Sequence, residues 1–237
     1  MFQVAYCTDV GKKRTNNQDA LLVSKELKLF AVADGMGGHL AGEVASQTTV
    51  EMIEKYFVNL ANGMPQVWIE ESIKEANKTV YLKSLDDEAY RGMGTTCSMV
   101  FFEDGILHMG HVGDSRIYFV DEDIVQISKD HTLVEKLVAA GEITKTEAIV
   151  HPKRHVITRA VGTDATVEID YSKFEYKDLN KILICSDGLS EMVKDQEILS
   201  IINTHDLDDA VSELVKRAND NGGTDNISVI LIALDEC

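Results

Sequence analysis

Three apolar runs in this chain of 237 residues each carry an aspartate at one end. They are FAVADGMGGH at 30–39, ILICSDGL at 182–189 and GGTDNISVILIAL at 222–234. Short runs of Val, Ile, Leu and Phe bounded by glycine read as buried strands. Asp34 and Asp187 close the first two, and Asp225 opens the third. If the third strand runs antiparallel to the others, all three carboxylates meet at one edge of a sheet. Crowded carboxylates repel one another and resist ionising, and a bound cation removes that conflict. The pattern therefore predicts an oxygen-ligated metal site, for which hydrolysis is the natural use.

The rest of the chain supplies the frame. Strands are predicted at 2–8, 20–24 and 28–33. A helix follows at 39–61, with Val44, Thr48, Met52 and Tyr56 at helical spacing. A second, at about 65–85, has Pro65 in its first turn and Trp68, Ile69, Ile73, Ala76 and Val80 on one side. Four strands come close together at 95–103, 106–112, 116–121 and 124–128. Glu103-Asp104-Gly105 and Asp121-Glu122-Asp123 read as hairpin turns between them. A helix at 131–140 stops at Gly141, and from there to about 160 the pattern weakens into an expected mobile, solvent-exposed segment. Strands at 166–174 and 181–186, helices at about 195–203 and 207–219, and a strand at 226–234 complete the order. Elements grouped in blocks, without βαβα alternation, suit antiparallel sheets with helices packed outside: an α+β fold.

With only 2 Pro, no low-complexity run and 44% hydrophobic residues, the chain is expected to form a single domain over 1–237. No apolar stretch is long enough to span a bilayer. The start, MFQVAYCTDVGKK, lacks the basic opening, apolar centre and cleavage site of a signal peptide. Cys7, Cys97, Cys185 and Cys237 are far apart; Cys97 and Cys185 sit in apolar runs and read as buried small hydrophobes, not as a disulfide or zinc set. The cytoplasm is the expected compartment. A formal net charge of −17 argues against nucleic acid and anionic membrane as partners, and is otherwise explained by solubility.

Asp-Gly after a strand is a common turn, so each aspartate alone reads as structural; the set of three changes that. Asp34-Gly35 leads into Met36-Gly37-Gly38-His39, and three glycines in four positions suit a backbone that something must approach closely. The Gly35 carbonyl is a further candidate ligand. Carboxylates and carbonyls without thiolates favour Mg²⁺ or Mn²⁺ over zinc. In GKKRTNNQDA at 11–20, Arg14 and Asp19 flank a polar turn. Arg14 is either a solvated loop residue or a planar, permanently charged fork for phosphate. Asp114, in GDSR at 113–116, reads as a hairpin aspartate. His39 is either a helix-start residue or, five positions from Asp34, a proton donor at the site. His108 and His111, three apart on a strand, face opposite sides and make a poor metal pair.

Taken together, TDVGKKRTNNQDA (8–20), VADGMGGHLAGEVAS (32–46), MGTT (93–96), GHVGDSRIY (110–118), SKDHT (128–132), TRAVG (158–162), CSDGL (185–189) and GGTDNIS (222–228) resemble a bacterial member of the type 2C, metal-dependent Ser/Thr protein phosphatases. The segments follow the family's order and span nearly the whole chain. The resemblance implies a four-layer α-β-β-α sandwich of two antiparallel sheets flanked by helices. It implies a centre of two Mn²⁺ or Mg²⁺ ions, with Asp34 bridging, Gly35 as a carbonyl ligand, and Asp187 and Asp225 on the second ion. Asp19 then acts through water, and Arg14 takes the substrate phosphate. A third, weaker ion uses Asp114 and Asp187, and the segment at about 141–160 is a flap beside the site. The implied reaction is hydrolysis of phosphoserine and phosphothreonine by a hydroxide bridging the metals, with His39 protonating the leaving oxygen. Phosphoproteins are the implied substrates, a cognate Ser/Thr kinase is an implied partner, and a monomer is expected. Two alternatives share the fold: a non-catalytic regulatory module, whose sign is a lost ligand, and a phosphatase of small phosphate esters.

Overall fold

The computed structural model describes residues 2–38, 40–60, 63–176 and 179–234; His39 and Cys237 lie outside them. In chain order the elements are β1 (Phe2–Asp9), β2 (Asp19–Ser24), β3 (Leu29–Met36), α1 (Ala41–Val58), α2 (Pro65–Asp86), β4 (Gly94–Thr95), β5 (Cys97–Glu103), β6 (Ile106–Val112), β7 (Arg116–Val120) and β8 (Ile124–Gln126). There follow α3 (Leu133–Ala139), α4 (Lys145–Ile149), β9 (Asp170–Glu175), β10 (Lys181–Cys185), α5 (Asp187–Ser190), α6 (Asp195–Thr204), α7 (Leu207–Asp220) and β11 (Ile227–Leu234). One sheet has the order β1-β11-β10-β7-β8 and the other β2-β3-β5-β6-β9, with β4 paired to β3; every pairing is antiparallel.

Side-chain alternation explains why the central strands are apolar throughout. In β10, Ile182 and Ile184 point between the sheets, while Leu183 and Cys185 pack under the helices. In β11, Ile230 and Ile232 face inward, and Val229 and Leu231 face α6 and α7. The second sheet repeats this: Phe30, Val32, Val100 and Phe102 fill the inter-sheet core, and Ala31, Ala33, Met99 and Phe101 meet α1 and α2. A strand covered on both faces has no position for a polar residue. The result is the expected four-layer α-β-β-α sandwich.

Local chemistry sets the boundaries. Pro65 occupies the first turn of α2, where its missing N–H costs nothing. The β5–β6 hairpin turns on Asp104 and Gly105, with φ of 48° and 79°, the pair of positive values a type I′ turn requires. Cys97 and Cys185 are buried free thiols, pushed up to about 12 by burial, so the small-hydrophobe reading holds. His108 and His111 do face opposite sides of β6: His108 Nδ1 meets the Tyr171 hydroxyl at 2.8 Å, and His111 Nδ1 meets Ser98 Oγ at 2.9 Å.

Several expectations need correction. Asp34 lies inside β3 and not after it, because β4 extends the ladder through Gly35↔Thr95 and Met36↔Gly94. Asp34 and the pair Asp187 and Asp225 belong to different sheets, so the carboxylates meet at one end of the sandwich, not at one sheet edge. Asp114 is not in a hairpin: its turn joins β6 in one sheet to β7 in the other. The buried face of α1 is centred on Ala45, Thr49, Val50, Ile53 and Phe57, with the predicted Thr48 also buried; the predicted Val44, Met52 and Tyr56 are only partly buried and flank it. The segment at 141–160 is largely solvent-exposed as expected, but it also holds a short helix, α4, opened by a reciprocal Thr144–Glu147 capping box.

Candidate active site

Five carboxylates converge where the two sheets open at one end of the sandwich. The alternation that sends Phe30 and Val32 between the sheets sends Asp34 the same way. Its cross-strand partner on β2 is Asp19, a like-charged pair that a sheet does not tolerate without compensation. Asp187 starts α5 directly after β10, Asp225 precedes β11, and Asp114 sits in the β6–β7 crossover. Asp34, Asp114, Asp187 and Asp225 line a cavity of about 570 Å³ with Arg14, Gly35 and Gly37.

Polar neighbours hold these groups in place. The Asp34 N–H donates to Thr96 Oγ1 at 2.9 Å, and the Asp34 carbonyl accepts from Thr95 Oγ1 at 2.9 Å and from the Thr96 N–H at 2.8 Å. Ser186 Oγ donates to Asp19 Oδ2 at 2.8 Å and itself accepts from the Ser228 N–H at 3.0 Å. The Asn226 side chain stitches the loop before β2 to β11: Oδ1 accepts from the Gln18 N–H at 2.8 Å, and Nδ2 donates to the carbonyls of Val10 and Asn16, both at 3.0 Å. Gly35 admits no side chain, since a Cβ there would lie 2.1 Å from the Gly42 carbonyl oxygen of α1. Arg14, half exposed at the cavity wall, donates from Nη2 to Asp225 Oδ2 at 2.6 Å.

Electrostatics state what the site lacks. Burial, then repulsion from the neighbouring aspartates, holds Asp34 and Asp187 well above the usual carboxylate range. Burial raises Asp19 to about 6 even though the Ser228 and Ser186 hydroxyls pull it down. Burial and then Asp130 raise Asp114 to about 7. Among the described residues three buried carboxylate oxygens have no hydrogen-bond partner: Asp19 Oδ1, Asp114 Oδ1 and Asp187 Oδ1. Buried polar atoms are almost always satisfied, and an unpartnered anion is the costliest exception. All-oxygen donors around such atoms fit a hard divalent cation, which supplies the missing partner and the missing charge.

The fold thus brings together Arg14, Asp19, Asp34, Gly35, Asp114, Asp187 and Asp225. His39 falls outside the described residues. The sequence reading missed Arg154, His155, Ile157 and Glu191, which also line the cavity. His155 Nδ1 lies 2.6 Å from Glu191 Oε1, and with Asp187 the two offer ligand atoms all within 4.8 Å of one another. Glu191 was findable: four residues after Asp187 on a helical turn, it shares that side. His155 carries no such signal, because only the path of the segment after α4 brings it to the cavity.

Comparison with known proteins agrees with this geometry. Residues 10–231 match the model of the protein phosphatase 2C family. The chain is 35% identical to protein phosphatase PhpP of Streptococcus pneumoniae, over 99% of this chain and 98% of that one. It is 34% identical to the serine/threonine phosphatase stp of Listeria innocua, over 95% of this chain and 93% of that one. The crystal structure of the catalytic domain of the serine/threonine protein phosphatase PstP in complex with two manganese ions matches it with a TM-score of 0.88 at 32% identity, covering 98% of this chain and 97% of that one. This chain belongs to the protein phosphatase 2C family.

Proposed function

We propose that this protein hydrolyses phosphoserine and phosphothreonine in proteins, as a metal-dependent phosphatase with two Mn²⁺ or Mg²⁺ ions. The observation that carries the reading is the convergence of five carboxylates, three of them with a buried oxygen left unpartnered. In this reading Asp34, the Gly35 carbonyl, Asp187 and Asp225 hold the two ions, and Asp114 with Asp187 holds a weaker third. When bound, the ions activate water near neutral pH and neutralise charge on the phosphoryl oxygens.

The chain's own residues do the rest. Thr95 and Thr96 hold the backbone of Asp34, on the strand face that points between the sheets. Asp19, anchored by Ser186, orients water at the ions. Arg14 stands at the cavity wall with its guanidinium half exposed, where it orients the phosphoryl group; its contact with Asp225 sets the fork's position beforehand. His39 protonates the leaving Ser or Thr oxygen, an assignment that rests on its place in VADGMGGH.

The same reading makes 1–237 one catalytic domain, with the segment at about 141–160 as a flap. Its support is that Arg154, His155 and Ile157, at the end of that segment, wall the cavity. The five carboxylates complete the site within one chain, so in this reading a monomer suffices for the reaction. No helix among the described residues is long and apolar enough to cross a membrane; the cytoplasm is the compartment this reading assigns. The reaction requires a Ser/Thr kinase to make its substrates. No predicted ligand is lost, which disfavours a non-catalytic module. Assaying a phosphothreonine peptide beside small phosphate esters, with Mn²⁺, tests the reading. Faster turnover of the peptide supports it; turnover of esters alone, or of neither, overturns it.

A further inference from the structure

A second group of buried polar side chains packs against the turn that carries Asp114. Its centre is His131, which is 7% exposed and lies just before α3. The His131 N–H donates to the Gly113 carbonyl at 2.7 Å, and the Gly113 N–H donates back to His131 Nδ1 at 3.0 Å. One residue therefore grips both backbone polar groups of the position before Asp114. As an acceptor, Nδ1 carries no proton, so the ring is the Nε2–H tautomer. Nε2 lies 3.1 Å from Asp170 Oδ2, which accepts that proton, and Arg159 Nη1 holds the other Asp170 oxygen at 2.7 Å.

The turn has little room to relax elsewhere. Gly113 has φ of +110°, and a Cβ on it would lie 2.6 Å from the Thr96 side chain. Thr96 also receives the Asp34 N–H, so the turn is held between the Asp34 support and the His131 ring. On its other side His131 reaches the segment that walls the cavity. Its carbonyl accepts from the Thr158 N–H at 2.7 Å and from Thr158 Oγ1 at 3.0 Å, and Thr132 bridges to Ile157.

We propose that His131 is a positioning residue: it fixes the Gly113–Asp114 turn so that Asp114 reaches its ion, and ties that turn to the cavity wall at Ile157 and Thr158. The inference rests on the reading of Asp114 as ligand of the weaker third ion. It assigns His131 no contact with substrate and no part in holding the two tighter ions.

Two substitutions separate the ring's two nitrogens. In His131→Asn the amide oxygen takes the place of Nδ1 and keeps the Gly113 bond; in His131→Gln the amide reaches the place of Nε2 and leaves the Gly113 N–H unpaired. With Mn²⁺ and a phosphothreonine peptide, His131→Gln should lower kcat about tenfold, the size of one lost buried hydrogen bond. It should also raise the Mn²⁺ concentration for half-maximal activity, with KM and calorimetric binding of the tight ions unchanged. His131→Asn should recover most of that loss. Asp114→Ala should lower kcat likewise, and adding His131→Gln to it should cost nothing more. Asp170→Ala, at a side chain 40% exposed, tests the same link away from the core: kcat should fall, again with no addition to Asp114→Ala. Equal loss in His131→Asn and His131→Gln, or additive losses with Asp114→Ala, would overturn the role of His131. Wild-type kinetics in Asp114→Ala would overturn the third-ion reading and this proposal with it, while leaving the two-ion phosphatase intact.

Discussion

Asp114→Asn should make the metal-free protein more stable while impairing the enzyme. In the folded chain burial and then Asp130 raise the Asp114 carboxyl from an ordinary 3.8 to about 7. A displacement of about 3 pH units corresponds to roughly 4 kcal/mol of destabilisation once the group is ionised. The sign follows from proton binding. Between pH 3.8 and about 7 the folded state holds a proton that the unfolded state has released. Stability is therefore lost as pH rises through that window, and the full penalty is present above it. Asparagine keeps the shape and removes the charge, but its buried amide must still find partners, at a cost of about 1–3 kcal/mol if it fails. The net gain above pH 7 should be about 1–3 kcal/mol, or roughly 2–10 °C in Tm for a chain of this size. Thermal unfolding in EDTA, followed by circular dichroism from pH 4 to pH 8, measures it. The gap between variant and wild type should be widest at pH 8 and close toward pH 4. Saturating Mn²⁺ should reverse the order, because ligand binding to the folded state stabilises wild type more. A metal-free Asp114→Asn no more stable than wild type at pH 8 would refute the picture of a charge held at a cost for its metal.

Three further outcomes follow. Arg14→Ala should lower kcat/KM on a phosphopeptide by about 10- to 100-fold, the value of a charge-assisted fork on phosphate, with calorimetric Mn²⁺ affinity little changed; unaltered kinetics would return Arg14 to a solvated loop residue. Gly35→Ala should lower Tm and activity together, since its Cβ would meet the Gly42 carbonyl oxygen at 2.1 Å and overpacking costs about 1–3 kcal/mol; a wild-type Tm would show that β3 and α1 part easily. His39→Ala should slow phosphopeptide hydrolysis far more than nitrophenyl phosphate hydrolysis, because a basic alkoxide needs a proton that nitrophenolate does not, an effect of about 10²–10⁴-fold; equal slowing on both would make His39 a helix-start residue.

Local rules made most of the frame legible. The β5–β6 strands and their Asp104-Gly105 turn came out at the right residues, because turn chemistry and strand pattern agree there. Helices α2, α6 and α7 were found because a single buried stripe meets a flat sheet. Allocation of strands between sheets was not legible, and with it the true setting of Asp34 and Asp114. Hydrophobic alternation is the same on either sheet, and only the long-range pairing Asp19↔Asp34 or Cys185↔Val229 decides which one a strand joins. The stripe of α1 was misplaced in part: Thr48 is buried, but Val44, Met52 and Tyr56 are apolar enough to read as core and only flank it. Helices α4 and α5 span 5 and 4 residues, too short for a 3.6-residue period to register. In the site, aspartates beside Gly-rich turns announced themselves. Thr96, Asn226 and His131 act through hydrogen bonds to groups distant in sequence, a role no local spacing records.

The measurement that bears most directly on the two-metal centre is phosphate release from a phosphothreonine peptide by metal-stripped protein titrated with Mn²⁺. Wild type should be inactive in EDTA, recover with added Mn²⁺, and bind the ion by calorimetry over the same range. Asp34→Asn should stay folded, lose nearly all turnover and lose tight Mn²⁺ binding together. Full turnover in EDTA, or wild-type rates from Asp34→Asn, would place the chemistry outside the five converging carboxylates.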